Sequence, residues 1–256
     1  MLGRTFPPLF FFQGVFLLCP ESPGGHGGSE GIEKLHSFSL NDYMDDVLEV
    51  MRHLKEKPVL IGHSMGGAVV QKVVYAHPDT IKMAILLASV PPQGLLKDLL
   101  RIYLTSFRER FETLLFNRRR TSVDWLSQLL FSDNLTKEEI NESAKLLQPE
   151  SRRAIGDLLR RVVPVPTDSL WADLTGGRPQ ETNRPPQVPM LVLGSKKDAF
   201  FPEKTVRSTG KAYQTQPIIF FDLCHDMMLD PEWGRVADAM DAFLSETVSV
   251  SEEGTL

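Results

Sequence analysis

The sequence predicts an α/β fold, a mostly parallel sheet flanked by helices. Three observations predict it. Short apolar strands alternate with amphipathic helices in the first and last parts of the chain. Those strands show no polar alternation, as expected of a sheet covered on both faces. The stretch PVLIGHSMGGAVV, residues 58–70, runs from such a strand through a sharp turn into a helix.

Each element follows in order. TFPPLFFFQGVFLL carries an apolar run from Leu9 to Leu18, broken by Gln13. It is too short to span a bilayer, and no small-residue cleavage site follows it, so a buried strand at Gly14–Cys19 is favoured over a signal peptide. PESPGGHGGSEG then supplies a glycine-rich loop. Ser39 can cap a helix, with Asp42 three residues on as a capping-box partner. Tyr43, Val47, Val50, Met51 and Leu54 continue that helix. Pro58–Ile61 is a strand, Gly66–Ala76 a helix, and Ile81–Ala88 a second buried strand. Val188–Leu193 and Pro217–Phe221 are further strands. Trp233–Leu244 closes the core as a helix with Val236, Met240 and Phe243 on one face, and the polar tail after it is expected to fray.

Between Ser89 and Gln187 the rhythm changes. LLKDLLRIYLTSFRERFETLLF, SVDWLSQLLF, TKEEINESAKLLQ and SRRAIGDLLRRVV all read as amphipathic helices, with no obvious strand. The expected organisation is therefore a core from 1 to 90, a helical insertion from 91 to 187, the rest of the core from 188 to 246, and a tail from 247 to 256. Arg118-Arg119-Arg120 reads as a solvated helix end or loop.

Composition narrows the function. The chain has 256 residues, 42% hydrophobic and 24% charged, which suits a globular protein with a sizeable core. A net charge of -5 gives no electrostatic reason to expect nucleic-acid binding. Cys19 and Cys224 are the only cysteines, too few for a disulfide framework or a cysteine-only zinc site. A reducing, cytoplasmic setting without stable membrane insertion is the plain expectation.

The chemistry centres on Gly62-His63-Ser64-Met65-Gly66, which fits G-x-S-x-G at a strand-to-helix turn. Glycines at 62 and 66, with Gly67 beside them, are expected to relieve crowding around a strained serine. The Met65 N–H, at the start of the next helix, points where an oxyanion would form. A nucleotide-binding turn is the competing interpretation, but the stretch matches neither G-x-G-x-x-G nor the P-loop pattern.

Ser64 needs a base. His26, His36, His53 and His77 lie in loops or helices of the front half, and His63 is expected to point away from Ser64. His225 follows the last strand, at the same sheet edge as the serine turn. Asp198, just past the strand VPMLVLG, is the expected third member, with Asp222 and Asp226 as rivals. The order serine, acid, histidine fits this architecture. Cys224 reads as a small buried residue rather than a nucleophile.

With these residues placed, the chain resembles the α/β-hydrolase superfamily. It looks most like its soluble esterases, monoacylglycerol lipases and lysophospholipase-like hydrolases. GGHGGSEG, FSLNDYMDDVLEVM, PVLIGHSMGG, MLVLGSKKDAFFP and CHDMMLDPEW carry the resemblance, over about Val15 to Leu244. The resemblance implies a serine hydrolase of carboxylic esters, acting through an acyl-enzyme on a small-molecule acyl ester, without a metal or organic cofactor. It also implies three strands before the glycine-rich loop and a His-Gly segment donating a second oxyanion N–H. About twenty residues stand there, so the core is expected to be shortened at its N-terminus. The second donor is then absent, improvised by Gly24–Gly28, or lost with a missing segment. The GGHGG stretch itself is a less favoured oxyanion loop.

The expected function is therefore ester hydrolysis with Ser64 as nucleophile, His225 as base, Asp198 as its orienting acid and the Met65 N–H as oxyanion donor. The alternative is a catalytically impaired or truncated hydrolase-like protein. Amide, thioester or carbon–carbon hydrolysis and perhydrolysis would share the same three side chains. In the insertion, Leu100, Leu104, Phe107, Leu115, Phe116, Trp125 and Leu130 would pack a cap's own core or line an acyl pocket.

Overall fold

The computed structural model describes Gly25, residues 30–98, 100, 101, 104, 130, 131, 135–145, 149–164 and 188–253. The strand expected at Gly14–Cys19 and the cap residues Phe107, Leu115, Phe116 and Trp125 lie outside the described residues.

Four strands form one sheet among the described residues: β1 (Val59–His63), β2 (Met83–Leu87), β3 (Met190–Ser195) and β4 (Ile218–Phe220). Their order in space is their order in sequence, and every pairing is parallel. Val59 faces Met83, Ala84 faces Met190, and Leu193 faces Ile218. The α-helices among the described residues include α1 (Leu40–Arg52), α2 (Met65–Ala76), α3 (Lys137–Ala144), α4 (Arg152–Leu158), α5 (Glu203–Ala212) and α6 (Trp233–Glu253).

Alternation along the strands splits the core into two. Leu60, Ala84, Leu86, Met190 and Val192 point to one face and pack with α1, α2, α4 and α5. Val59, Met83, Ile85, Leu87, Leu191 and Leu193 point to the other and pack with Val236 and Leu244 of α6. Because the strands advance steadily in one direction, right-handed crossovers must put α2 and α5 on the same face, as they are. The opposite face is left for α6. The mostly parallel, helix-flanked sheet is thus the observed architecture.

Local sequence sets the ends. Ser39 caps α1 with a full capping box, its hydroxyl accepting from the Asp42 N–H and Asp42 accepting from the Ser39 N–H. Leu40, Tyr43, Val47 and Met51 form its buried stripe, whereas Val50 is exposed. Strand β2 stops at Leu87, one residue short of expectation, because Ala88 takes a positive φ of 42°. Helix α6 runs through Glu253 rather than fraying after Leu244, since no glycine or proline stands between Leu244 and Gly254.

Between β2 and β3 no described residue is in a strand; residues 96–98, 100, 101 and 104 are helical, and α3 and α4 follow. Helix α4 is tied to the core. Its Asp157 accepts from the Leu40 N–H, and the Ser151 hydroxyl donates to the Phe38 carbonyl. Leu100 and Leu104 are 57% and 59% exposed, so they are not buried inside a cap core.

Candidate active site

Parallel strands bring β1, β3 and β4 out at one edge, and the three expected side chains meet there. Ser64 follows β1 and caps α2 at φ 51°, ψ −117°. This strained turn is held on both sides. The Ser64 N–H donates to the Leu87 carbonyl at 3.1 Å, and the Ser64 carbonyl accepts from the Gly67 and Val90 N–H groups at 3.1 Å each. The Ser64 hydroxyl makes no capping bond to α2, and its Oγ lies 3.0 Å from His225 Nε2.

The glycines divide unequally. A Cβ on Gly62 would come within 2.5 Å of the Gly66 carbonyl oxygen, and one on Gly67 within 2.1 Å of Ser89 Oγ. A Cβ on Gly66 would meet nothing within 4 Å. Gly62 and Gly67 therefore make the tight turn possible, while Gly66, expected to share that role, is not sterically required.

Asp198 lies in the loop after β3. Its Oδ1 accepts the Phe200 and Phe201 N–H groups at 2.8 and 2.9 Å, and its Oδ2 lies 2.9 Å from His225 Nδ1. An ionised carboxylate accepts only, so His225 carries its proton on Nδ1 and leaves Nε2 to accept from Ser64. Asp198 and His225 are each 3% exposed. Asp222 is directed elsewhere, onto Arg235 at 2.9 Å. Asp226 faces His63 at 3.5 Å.

Several supports gave little sequence signal. Ser195, the last residue of β3, donates its hydroxyl to the Leu223 carbonyl and accepts from the Lys197 N–H, joining the acid loop to the histidine loop. The rings of Phe200 and Phe201 sit 4.8 and 5.5 Å from the His225 ring. Arg101 donates to the Ala199 and Phe200 carbonyls, and the Asp226 N–H donates to the Leu130 carbonyl. Behind the serine turn, the buried Gln71 amide donates to Ser89 Oγ and the Val90 carbonyl, and accepts from the Tyr213 hydroxyl.

His63 reaches the histidine loop. It keeps 28% of its side chain exposed, yet its Nε2 lies 3.1 Å from the His225 carbonyl. Burial, and then the His225 ring, hold its pKa well below the ordinary value, so it is neutral. Burial pushes the Asp226 carboxyl up to about 6. Among the described residues, His63, His225 and Asp226 each bring one possible ligand atom to within 4.8 Å of the other two. Cys224 is buried beside them.

Met65 opens α2, and its N–H is among the first-turn donors that no helix can satisfy internally. Of Gly24–Gly28 only Gly25 is described, and its N–H donates to the Glu30 carbonyl at 2.9 Å, so it is not an oxyanion donor. No helix among the described residues is long and apolar enough to cross a membrane.

A strained serine at a strand-to-helix turn, hydrogen-bonded to a histidine that an aspartate orients, defines a class of fold and site. The family model for the alpha/beta hydrolase fold matches residues 4–232, and the chain belongs to that family. No curated protein matches it by sequence. Among solved structures, a thermophilic esterase is 20% identical with a TM-score of 0.59, over 88% of this chain and 79% of that one. A bromoperoxidase from Bacillus anthracis is 18% identical with a TM-score of 0.61, over 87% and 79%. A monoacylglycerol lipase from Paleococcus ferrophilus is 21% identical with a TM-score of 0.53, over 88% and 80%. At these identities the likeness is one of fold.

Proposed function

We propose that the chain is a serine hydrolase that cleaves a carboxylic ester, such as a monoacylglycerol or similar acyl ester, through an acyl-enzyme. The observation that carries this is the continuous line from Ser64 Oγ to His225 Nε2 at 3.0 Å and from His225 Nδ1 to Asp198 Oδ2 at 2.9 Å.

In the first step Ser64 Oγ attacks the acyl carbonyl carbon while His225 Nε2 takes the hydroxyl proton. Negative charge collects on the carbonyl oxygen, toward the Met65 N–H. One such donor is worth about 10²–10³ in kcat. His225 passes its proton to the leaving alcohol as the ester bond breaks. Water then enters, His225 removes its proton, and the acid and free serine are released. Asp198 fixes the tautomer and stabilises the imidazolium throughout.

Residues 91–187 are assigned as a cap above the serine. The contacts of Arg101 with the Phe200 loop and of Leu130 with Asp226 support this, because both anchor the insertion beside His225. The exposed Leu100 and Leu104 would then be available to an acyl chain rather than to a cap core.

The test is hydrolysis of p-nitrophenyl esters of increasing acyl length by the purified protein, beside Ser64→Ala. Turnover that vanishes in the variant is expected. Equal rates in the two folded proteins would overturn the proposal.

A further inference from the structure

We infer that Arg101 is a positioning residue for Asp198: its guanidinium holds the carbonyl side of the same two peptide groups whose N–H groups hold the carboxylate. This rests on Asp198 being the acid of the proposed triad.

The arrangement is a bridge of two peptides. Between Ala199 and Phe200, the carbonyl accepts from Arg101 Nη2 at 2.6 Å and the N–H donates to Asp198 Oδ1 at 2.8 Å. Between Phe200 and Phe201, the carbonyl accepts from the same Nη2 at 2.8 Å and the N–H donates to the same Oδ1 at 2.9 Å. A guanidinium only donates and a carbonyl only accepts, so the direction of both Arg101 bonds is settled. A peptide group is planar, so turning its carbonyl turns its N–H with it. Arg101 therefore fixes the aim of both donors on Oδ1. With them it fixes the angle at which Oδ2 meets His225 Nδ1, 2.9 Å away. Phe200, which belongs to both peptides, also sets its ring 4.8 Å from the His225 ring.

Arg101 is itself held in place. It lies one helical turn past Asp98, in the segment that enters the insertion. Asp98 is buried and accepts from the Thr205 hydroxyl at 2.9 Å. Further back, the Gln93 amide donates to the Ser208 hydroxyl at 3.2 Å. As the entering segment advances from 93 to 98 to 101, its partners fall from 208 to 205 to 200 and 199. The segment thus runs antiparallel to α5 and ends on the acid loop. Either carbonyl alone would anchor the insertion. Taking both clamps the two peptides that face Oδ1, and bonds from a charged donor are the stronger kind. A lysine ammonium keeps the charge but not the planar geometry, so it would replace Arg101 only in part.

The direct measurement is the NMR resonance of the His225 Nδ1 proton, from histidine-labelled native protein, Arg101→Ala and Arg101→Lys. That proton lies in the bond to Asp198, between two buried side chains, so it reports the geometry of the bond without substrate. Arg101→Ala should move the resonance upfield or broaden it by exchange with water, and Arg101→Lys should return it part of the way. Ser64 labelling by a fluorophosphonate should slow by up to about 10²-fold in Arg101→Ala. In an Asp198→Ala background, with no carboxylate left to aim, the same change should cost little more. An unmoved resonance in Arg101→Ala, shown folded by circular dichroism, would overturn the inference, even if labelling slowed. An equal proportional loss of labelling in both backgrounds would overturn it too, because a simple anchor is indifferent to residue 198. Should Arg101→Ala not fold, Arg101→Gln takes its place with the same outcomes. The resonance needs no ester turnover, so failure of the ester assay and failure of this inference are separate results.

Discussion

His225 Nε2 lies 3.0 Å from Ser64 Oγ, although 161 residues separate them in the chain. The contact joins the loop after β4 to the turn after β1, and Asp198 completes it from the loop after β3. Its chemistry depends on which groups donate and which accept.

Asp198 accepts on both oxygens, from two backbone N–H groups and from His225. Asp198→Asn can satisfy one side only. Its amide would either oppose the Phe200 and Phe201 donors or present N–H to His225 Nδ1 and enforce the wrong tautomer. The expected outcome is a kcat loss of about 10⁴ with the fold retained, read by ester turnover and circular dichroism.

The glycines of the serine turn should separate cleanly. Gly62→Ala and Gly67→Ala force contacts of 2.5 and 2.1 Å, so each should cost about 1–3 kcal/mol or more. Gly66→Ala meets open space and should be neutral or stabilising by up to about 1 kcal/mol. Urea denaturation of the three variants gives the ranking directly.

Tyr213 holds the serine turn at one remove. Its hydroxyl donates to Gln71, whose amide holds Ser89 and Val90, and the Val90 N–H holds the Ser64 carbonyl. Tyr213→Phe leaves a buried acceptor on Gln71 unsatisfied. Stability should fall by about 1–3 kcal/mol in urea titrations. Ser64 labelling should slow less than for any variant of the triad.

Asp226 predicts a stability that falls as pH rises. Its carboxyl is raised from 3.8 to about 6 by folding, so the native state binds more protons than the unfolded state between those values. Native stability therefore falls as pH rises through that window, and the loss is complete above it. Asp226→Asn cannot ionise and escapes the loss. It should melt at the native temperature near pH 4 and several degrees higher at pH 8, on the order of 2–3 kcal/mol of stability. His63 slopes the other way, because its depressed pKa removes stability as pH falls below its ordinary 6.5. His63 Nε2 lies 3.5 Å from Asp226 Oδ1, so the variant alters that slope too and the comparison reads the pair together.

Much of this arrangement was legible in the chain. The β1 turn could be read because G-x-S-x-G follows an apolar strand and precedes a helix. Asp198 and His225 could be placed because each stands just past a buried strand, and parallel strands share one functional edge. Ser195, Gln71 and Tyr213 could not be read, since their partners lie on other elements and follow no spacing rule. The contact of His63 with Asp226 follows no spacing rule either. Gly66 departs from its expected role because a motif records which positions are glycine, not which way an added Cβ would point. The end of β2 was also hidden, as alanine gives no hint of the positive φ at Ala88.

The pairing of β2 with β3 in a fixed parallel register has a consequence for synthesis. Ala84 stands against Met190 and Leu87 against Leu193. A slip of one residue would shift the acid loop along the strand axis by about 3.3 Å and exchange the two faces of β3. That distance exceeds the reach of the Asp198–His225 bond. A chain leaving the ribosome holds the proposed nucleophile early, but the proposed triad cannot assemble until residue 225 is out and every strand has found its neighbour in step. A reagent that labels Ser64 only when His225 is in place would therefore count correctly threaded molecules, and its rate of appearance would time the last event of folding.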